Sequence, residues 1–227
     1  MILSAHQLHY LPWLRYFHKI AKSDVFVVMD NIQFNKNGWQ NRNKIKCSTG
    51  WMYLTIPIYS KFQQNLDEVK VDNTQDWRVK HLRTLLCNYG KAKYFKEHKN
   101  FFEKIYSSDW DNLNDINYEM FYFYLKTLGI KTKIVKASDL NVGGVDSERL
   151  VNICKALGAD TYYSGAYALE VYLDEKVFNQ AGIKVALQDW HCPQYEQQFM
   201  GAGFVPDLAI LDLIFNHGAQ SLDIILK

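Results

Sequence analysis

The first 29 residues contain an apolar run, a helical pattern and a second apolar run, and this succession constrains the fold more than any other feature. Residues 1–5, MILSA, are typical of a short strand, and residues 25–29, VFVVM, of a strand buried on both faces. Between them apolar side chains recur with a helical period after Pro12, which suits the first turn of a helix. Strand, helix and strand in close succession predict a βαβ unit, and therefore a parallel pair with a right-handed crossover.

Later segments extend this pattern. We expect a hairpin with its turn at Thr49 and Gly50, and a helix from residue 146 capped by Asp146 or Ser147. The strands are predicted at residues 41–47, 51–59, 131–138, 161–165 and 182–190, and the helices at 76–92, 97–107, 113–128, 146–158 and 208–216. The sequence therefore predicts a single α/β domain over residues 1–227, a parallel-sheet core opened by the βαβ unit, with a mostly helical insertion at about residues 75–128.

Polar side chains follow the first predicted strand directly: His6, Gln7, His9 and Tyr10. In open α/β sheets ligands bind beyond the carboxyl ends of the strands, and the amino end of the following helix favours anions such as phosphate. Either histidine is suited to act as a general acid or base, or to donate a hydrogen bond to phosphate. The alternative is a structural histidine that bonds the turn between strand and helix.

A second polar group follows the second predicted strand. It begins at Asp30 and Gln33 and continues with Trp39, Asn41 and Arg42. Amides and a guanidinium together form a recognition surface, since arginine binds phosphate or carboxylate through two parallel hydrogen bonds. Aromatic residues make up 15% of the chain, and most are expected in the core, but a tryptophan among amides favours ligand binding over a plain solvated loop.

Two further polar groups follow later predicted strands. The candidate ligand-binding residues there are Tyr163, Ser164, Asp189, His191, Tyr195 and Gln198. Ser164 matches no nucleophile motif, so a hydrogen-bonding turn is favoured over a nucleophile. Asp212 lies inside an apolar helical stretch and must find a partner or solvent.

Composition and missing motifs exclude several classes. A formal charge of +2 is too small to favour nucleic-acid binding, and no apolar stretch reaches the length of a membrane span. No P-loop, dinucleotide fingerprint or HExxH motif occurs, so we expect no cofactor. The four cysteines lack metal-binding spacing, so we expect no metal. The first residues lack the features of a signal peptide, and we expect a cytoplasmic protein with reduced thiols.

Several of these runs, taken together, resemble the WbqC-like family of bacterial proteins associated with surface-polysaccharide gene clusters. The runs are HQLHYLPWLRYFHKIAKSDVFVVMDNIQF, GWQNRNKIK, TYYSG, QDWHCPQYEQQF and LAILDLIFNHG. Leu8 stands where the family usually has proline, and Arg15 where it usually has glycine. The resemblance implies a tailoring enzyme for sugars that enter O-antigen or capsule.

The leading hypothesis is a transferase that moves an acyl or aminoacyl group, from an activated or carrier-bound donor, to a nucleotide-linked amino sugar. His6 or His9 would take the amine proton, and Asp30 or Asp189 would orient the imidazole. Gln33 or Asn41 would hold the developing oxyanion. Two alternatives stay open. One is a nucleotidylyltransferase that uses a nucleoside triphosphate, by analogy with HIGH-type enzymes, and the other is a nucleotide-sugar binding protein without catalysis.

Overall fold

The structure is a computed structural model that describes residues 1–165 and 167–227. Its strands and helices follow one another as β1 (Ile2–His6), α1 (Leu14–Ala21), β2 (Val25–Val28), β3 (Arg42–Cys47), β4 (Gly50–Thr55), β5 (Ile58–Tyr59), β6 (Lys70–Val71), α2 (Trp77–Tyr89), α3 (Phe95–Ser107), α4 (Leu113–Leu128), β7 (Lys133–Lys136), α5 (Asp146–Leu157), β8 (Thr161–Gly165), α6 (Ala168–Val171), α7 (Glu175–Gln180), β9 (Lys184–Gln188), α8 (Ile210–His217) and α9 (Ser221–Ile225).

A parallel sheet with the strand order β7-β2-β1-β8-β9 forms the centre of the molecule. The predicted βαβ unit is confirmed, because β1 and β2 pair in parallel with Leu3 opposite Val25 and His6 opposite Val28. The α/β fold class is therefore also confirmed. Its central strand is β1, so the polar residues that follow β1 lie at the middle of the sheet.

Both faces of the sheet are covered, which explains why β2 is apolar throughout. Phe26 and Val28 belong to one hydrophobic core, whereas Val25 and Val27 belong to a second. The first core also contains buried side chains from α1, α4 and α8, and the second contains side chains from α5 and α7. Alternate residues of a strand point to opposite faces, so a strand between two cores must be apolar at every position.

The chain between β2 and β7 supplies the predicted helical insertion as α2, α3 and α4, whose buried side chains join the first core. Ahead of these helices, β3 and β4 form the predicted hairpin, but its turn lies at Ser48 and Thr49, since Cys47 already pairs with Gly50. Residues 51–59 do not form one strand. Pro57 interrupts the run, because proline has no N–H to donate to a ladder, and Ile58 pairs with Val71 instead.

The start of α1 and the cap of α5 differ from the prediction, although α5 begins at Asp146 as expected. Helix α1 begins at Leu14, two residues after Pro12, and Trp13 occupies its capping position without a side-chain hydrogen bond. Helix α5 begins after Val145, and neither Asp146 nor Ser147 caps it. The Ser147 hydroxyl instead donates to the carbonyl of Tyr172 over 3.1 Å, so tertiary contact replaces the local cap.

No helix within the described residues is both long enough and apolar enough to cross a membrane.

Candidate functional site

The site lies where the direction of strand addition reverses. From β1 the chain adds β2 and then β7 on one side of the sheet, and afterwards adds β8 and β9 on the other. Loops leaving the carboxyl ends of β1 and β8 therefore diverge and leave a crevice between them, the usual ligand position in open α/β sheets. His6 is the last residue of β1, and Gly165 is the last residue of β8.

A cavity of about 560 Å³ opens at this point, and we call it the cationic cavity. Its charged lining residues are Arg15, Lys19, Lys44 and Asp207. Its remaining lining residues are His6, Trp13, Tyr16, Trp39, Gly165, Tyr167, Ala168, Tyr172 and Gln188. Three cations against one carboxylate make this cavity suited to an anion.

Lys19 is the cation of this cavity whose charge is least compensated. Its side chain extends from α1 to the sheet and is 6% exposed, and its Nζ donates to the carbonyl of Ala5 over 3.3 Å. Among the described residues no carboxylate lies within 4.0 Å of that Nζ. Burial lowers the pKa of Lys19 to about 8, so the ammonium form still predominates at pH 7. A buried cation without a counterion favours an anionic ligand.

The other two cations are partly engaged. The Arg15 guanidinium lies 4.0 Å from the Asp207 carboxylate and 5.5 Å from the centroid of the Trp190 ring. The Lys44 ammonium lies 6.0 Å from the Trp39 centroid and 5.3 Å from the Trp51 centroid. Both groups lie against aromatic rings, and Asp207, the carboxylate of the lining, is paired with Arg15 and not with Lys19.

The loop after β1 brings two tryptophans to this cavity. The Tyr10 amide donates to the carbonyls of Trp39 and Gln40, at 3.2 Å each. The Gln40 side-chain amide donates to Gln7 as well. These bonds hold Trp39 against Trp13, with ring centroids 5.2 Å apart in an edge-to-face arrangement. The two half-buried rings form an aromatic wall beside the cations.

His6 stands at the centre of the site as a neutral imidazole. Its Nδ1 lies 3.2 Å from the carbonyl of Gln7, which requires a proton on Nδ1 and leaves the lone pair on Nε2. Burial, followed by the charge of Lys19 and the proximity of His9, lowers the pKa of His6 well below its ordinary value. The free base form of His6 therefore predominates at pH 7.

A second cavity of about 610 Å³ shares His6 and Tyr172 with the cationic cavity, and we call it the amide cavity. Its polar lining residues include Gln7, Asn31, Gln33, Asn65 and Arg149. The Arg149 guanidinium donates to the Asn31 side chain over 2.6 Å. His6 and Tyr172 are thus reached from two separate cavities.

Four of the predicted site residues line these two cavities. His6 contacts both, Trp39 lines the cationic cavity, and Gln7 and Gln33 line the amide cavity. Sequence reasoning missed Lys19, Lys44 and Arg149 as ligand-facing residues.

Three other predicted residues lie behind the site. His9 is 2% exposed and lines neither cavity, and its ring packs 4.7 Å from that of His6. Burial lowers the pKa of His9 to about 3. The Tyr10 hydroxyl is fully buried against His81 and Tyr106. The Asp30 carboxylate accepts hydrogen bonds from Tyr118 and Ser138, and none from His6.

The remaining predicted residues lie elsewhere. Asn41 and Arg42 line a separate cavity of about 160 Å³, and Tyr195 lines another of about 450 Å³, neither of which shares a residue with the cationic cavity. The other members of this group line neither the cationic nor the amide cavity and are Tyr163, Ser164, Asp189, His191 and Gln198. Asp189 and His191 are almost fully exposed, and Gln198 donates to Asn216.

Within the described residues, no group of three or more histidine, cysteine, aspartate or glutamate side chains is placed to hold a metal ion.

The Asp212 carboxyl is hydrogen-bonded to a tyrosine in the core and lines neither the cationic nor the amide cavity. It is fully buried on α8, and the Tyr89 hydroxyl donates to its Oδ1 over 2.9 Å. The same hydroxyl accepts from the backbone N–H of Lys46 over 2.8 Å. Burial raises the pKa of Asp212 to about 6, against the lowering effect of the Tyr89 hydrogen bond.

We expect Asp212→Asn to change how stability depends on pH. The folded protein holds the Asp212 proton up to a pH of about 6, whereas the unfolded chain releases it near 4, so the wild type loses stability as pH rises through this interval. Two pKa units correspond to about 3 kcal/mol. In urea unfolding, the advantage of Asp212→Asn over wild type should grow by about that amount between pH 4 and 6 and stay constant above. A difference between Asp212→Asn and wild type that stays flat over this interval would contradict the prediction.

The fold and the site together define a doubly wound α/β protein with a cationic, aromatic-walled cavity at its topological switch point. Within that class, the chain belongs to the WbqC-like protein family, whose model matches residues 7–224. It is also 37% identical over 220 residues to the uncharacterized protein Rv1507c of Mycobacterium tuberculosis, covering 96% of this chain and 94% of that protein. No solved structure matches the chain.

Proposed function

We propose that this protein is a tailoring transferase of surface-polysaccharide biosynthesis, which binds a nucleotide-linked amino sugar in the cationic cavity and directs an acyl or aminoacyl group to its amine. The observation that carries the proposal is Lys19, a buried ammonium without a counterion, next to the neutral imidazole of His6. The link to surface polysaccharides rests on the resemblance to the WbqC-like family.

The ligand class follows from charge and shape. A nucleoside diphosphate group carries about two negative charges, which would balance the excess of cations over the single carboxylate of Asp207. The wall formed by Trp13 and Trp39 offers aromatic surface to a base or a sugar ring. A volume of about 560 Å³ lies within the usual range of small-molecule sites.

His6 supplies the chemical step. Its Nε2 lone pair can take a proton from the sugar amine as the amine nitrogen attacks the acyl carbon. A nitrogen–carbon bond forms, the bond from the acyl carbon to the donor's leaving group breaks, and that group departs with the electron pair. His6 then holds the proton and can return it to the leaving group. Lys19 binds the phosphates and takes no part in this proton transfer.

A nucleotidylyltransferase is the second candidate, and the strand order together with the histidines after β1 is compatible with it. The sheet places its first strand at the centre, the arrangement of classical dinucleotide-binding folds, and histidines follow that strand. In this reaction the histidine would stabilise phosphates of a nucleoside triphosphate rather than act as a base. The analogy is one of fold alone.

A binding experiment separates these candidates. We expect UDP- or dTDP-linked amino sugars, and free nucleoside diphosphates, to raise the melting temperature, while free amino sugars do not. A ligand at a hundredfold excess over Kd stabilises the folded state by about 2.7 kcal/mol. Mass spectrometry of the sugar nucleotide after incubation with activated acyl donors then tests transfer. Stabilisation by nucleoside triphosphate with Mg²⁺ alone would favour the second candidate, and binding without any turnover would indicate a binding protein.

A further inference from the structure

The amide cavity has the position of a second substrate site. It meets the cationic cavity at His6 and Tyr172, which line both. Two cavities that meet at one neutral imidazole allow that group to contact two ligands bound on different sides. Direct transfer between two bound substrates uses such an arrangement, because acceptor and donor must meet without occupying the same volume.

Arg149 indicates what the amide cavity binds. Its guanidinium is half-buried, and it is held in place by the hydrogen bond of 2.6 Å to Asn31. Among the described residues no carboxylate lies within 4.0 Å of it. Asp146, the acid in the lining, is exposed and forms no ion pair with Arg149. An arginine oriented by an amide and lacking an acidic partner is suited to bind a carboxylate.

The rest of the lining combines apolar surface with amides, which suits an acyl group. Met29, Ile32 and Leu150 supply apolar surface, and Gln7 and Gln33 supply amides. Arg149 is the cation of this lining and the exposed Asp146 its acid, whereas the cationic cavity has three cations against one carboxylate. One guanidinium free of an acidic partner suits one carboxylate, and the excess of cations in the other cavity suits a diphosphate.

We propose that the amide cavity binds the donor side of the reaction, through an acyl group that keeps a free carboxylate after activation, and that Arg149 holds this carboxylate. The proposal rests on the proposed function, in which a second substrate supplies the acyl group. The carboxylate held by Arg149 is not the reacting carbonyl, which would lie toward His6.

The test uses monomethyl succinate, which has one free carboxylate, and dimethyl succinate, which has none. By titration calorimetry or ligand-observed NMR we expect the full-length protein to bind the monoester about tenfold or more tightly than the diester, the range of one charge-assisted hydrogen bond. Arg149→Met should remove this preference, Arg149→Lys should retain part of it, and Lys155→Met, an exposed change on the same helix, should retain all of it. An equal affinity for both esters, no binding of the monoester, or an unchanged preference in Arg149→Met would overturn the proposal.

A second arm separates this inference from the proposed function. Arg149→Met should bind a nucleotide-linked amino sugar as the wild type does, and the monoester should bind equally well with and without that sugar nucleotide. Competition between the two ligands would overturn the two-sided arrangement. Failure of every sugar nucleotide to bind, with the monoester preference intact, would overturn the proposed function and leave the carboxylate site standing.

Discussion

Replacing Lys19 with methionine is expected to weaken the binding of a nucleotide-linked sugar by about 30-fold or more, because removing one partner of a buried charge pair costs about 2 kcal/mol or more. The same change should stabilise the free protein. Burial lowers the pKa of Lys19 from 10.5 to about 8, so keeping the ammonium buried at pH 7 costs about 3 kcal/mol of folding free energy. Methionine has a similar length and carries no charge to desolvate. Binding and stability should therefore change in opposite directions.

The two measurements are a calorimetric titration with the sugar nucleotide and urea unfolding at pH 7. Lys22→Met is the matched control, because Lys22 is exposed near the end of the same helix and should change neither quantity by much. The sign of the pH effect provides a further check. The stability cost of Lys19 is present below pH 8 and fades as pH rises toward 10.5, so the gain from Lys19→Met should shrink over that interval. A variant that binds the sugar nucleotide normally would contradict the role given to Lys19.

Replacing His6 with asparagine is expected to lower kcat for acyl transfer by a factor of about 10² to 10⁴, the usual contribution of a general base. The asparagine amide can still donate to the carbonyl of Gln7, so the loop after β1 should keep its form. The affinity for the sugar nucleotide should change by less than about threefold, since the charge proposed to bind phosphate is that of Lys19 and not of the neutral His6. A large loss of affinity at unchanged kcat would contradict the assignment of His6 as a base.

The pH profile gives an independent test of the same assignment. The pKa of His6 lies well below 6.5, chiefly through burial and then through the charge of Lys19. The acid limb of kcat/KM, which reports the free enzyme, should therefore fall well below pH 6.5. Lys19→Met removes one of the two main causes and should move that limb to higher pH. His217→Asn, a change outside both cavities, should leave the profile where it is.

Sequence patterns predicted the elements better than the contacts of their side chains. Burial on both faces was readable from the run in β2, and the helical period of α1 was readable from its apolar spacing. The same reasoning assigned Tyr10 to a ligand, although its hydroxyl bonds His81 and Tyr106 in the core. Polar character marks a residue that needs a partner, and it does not distinguish a ligand from another buried side chain.

Lys19 lines the cationic cavity, yet the sequence did not mark it as a ligand-facing residue. In the sequence it is one lysine in an amphipathic helix, where a charge normally faces solvent. The structure places its ammonium against the carboxyl half of β1, with no acidic neighbour within 4.0 Å among the described residues, and the phosphate-binding role proposed for Lys19 rests on this placement. Arg149 and Lys44 were also missed, because neither lies next to a predicted strand end in the chain.

The sequence by itself determined the βαβ opening and the position of His6 at the end of the first strand. Both depend on the local alternation of apolar and polar residues, which a strand or helix imposes over a few positions. Only the tertiary structure decided that β8 lies beside β1, that His6 contacts two cavities, and that Lys19 is buried without a counterion. Those features depend on which distant segments become neighbours, and strand order and charge compensation are properties of the folded chain as a whole.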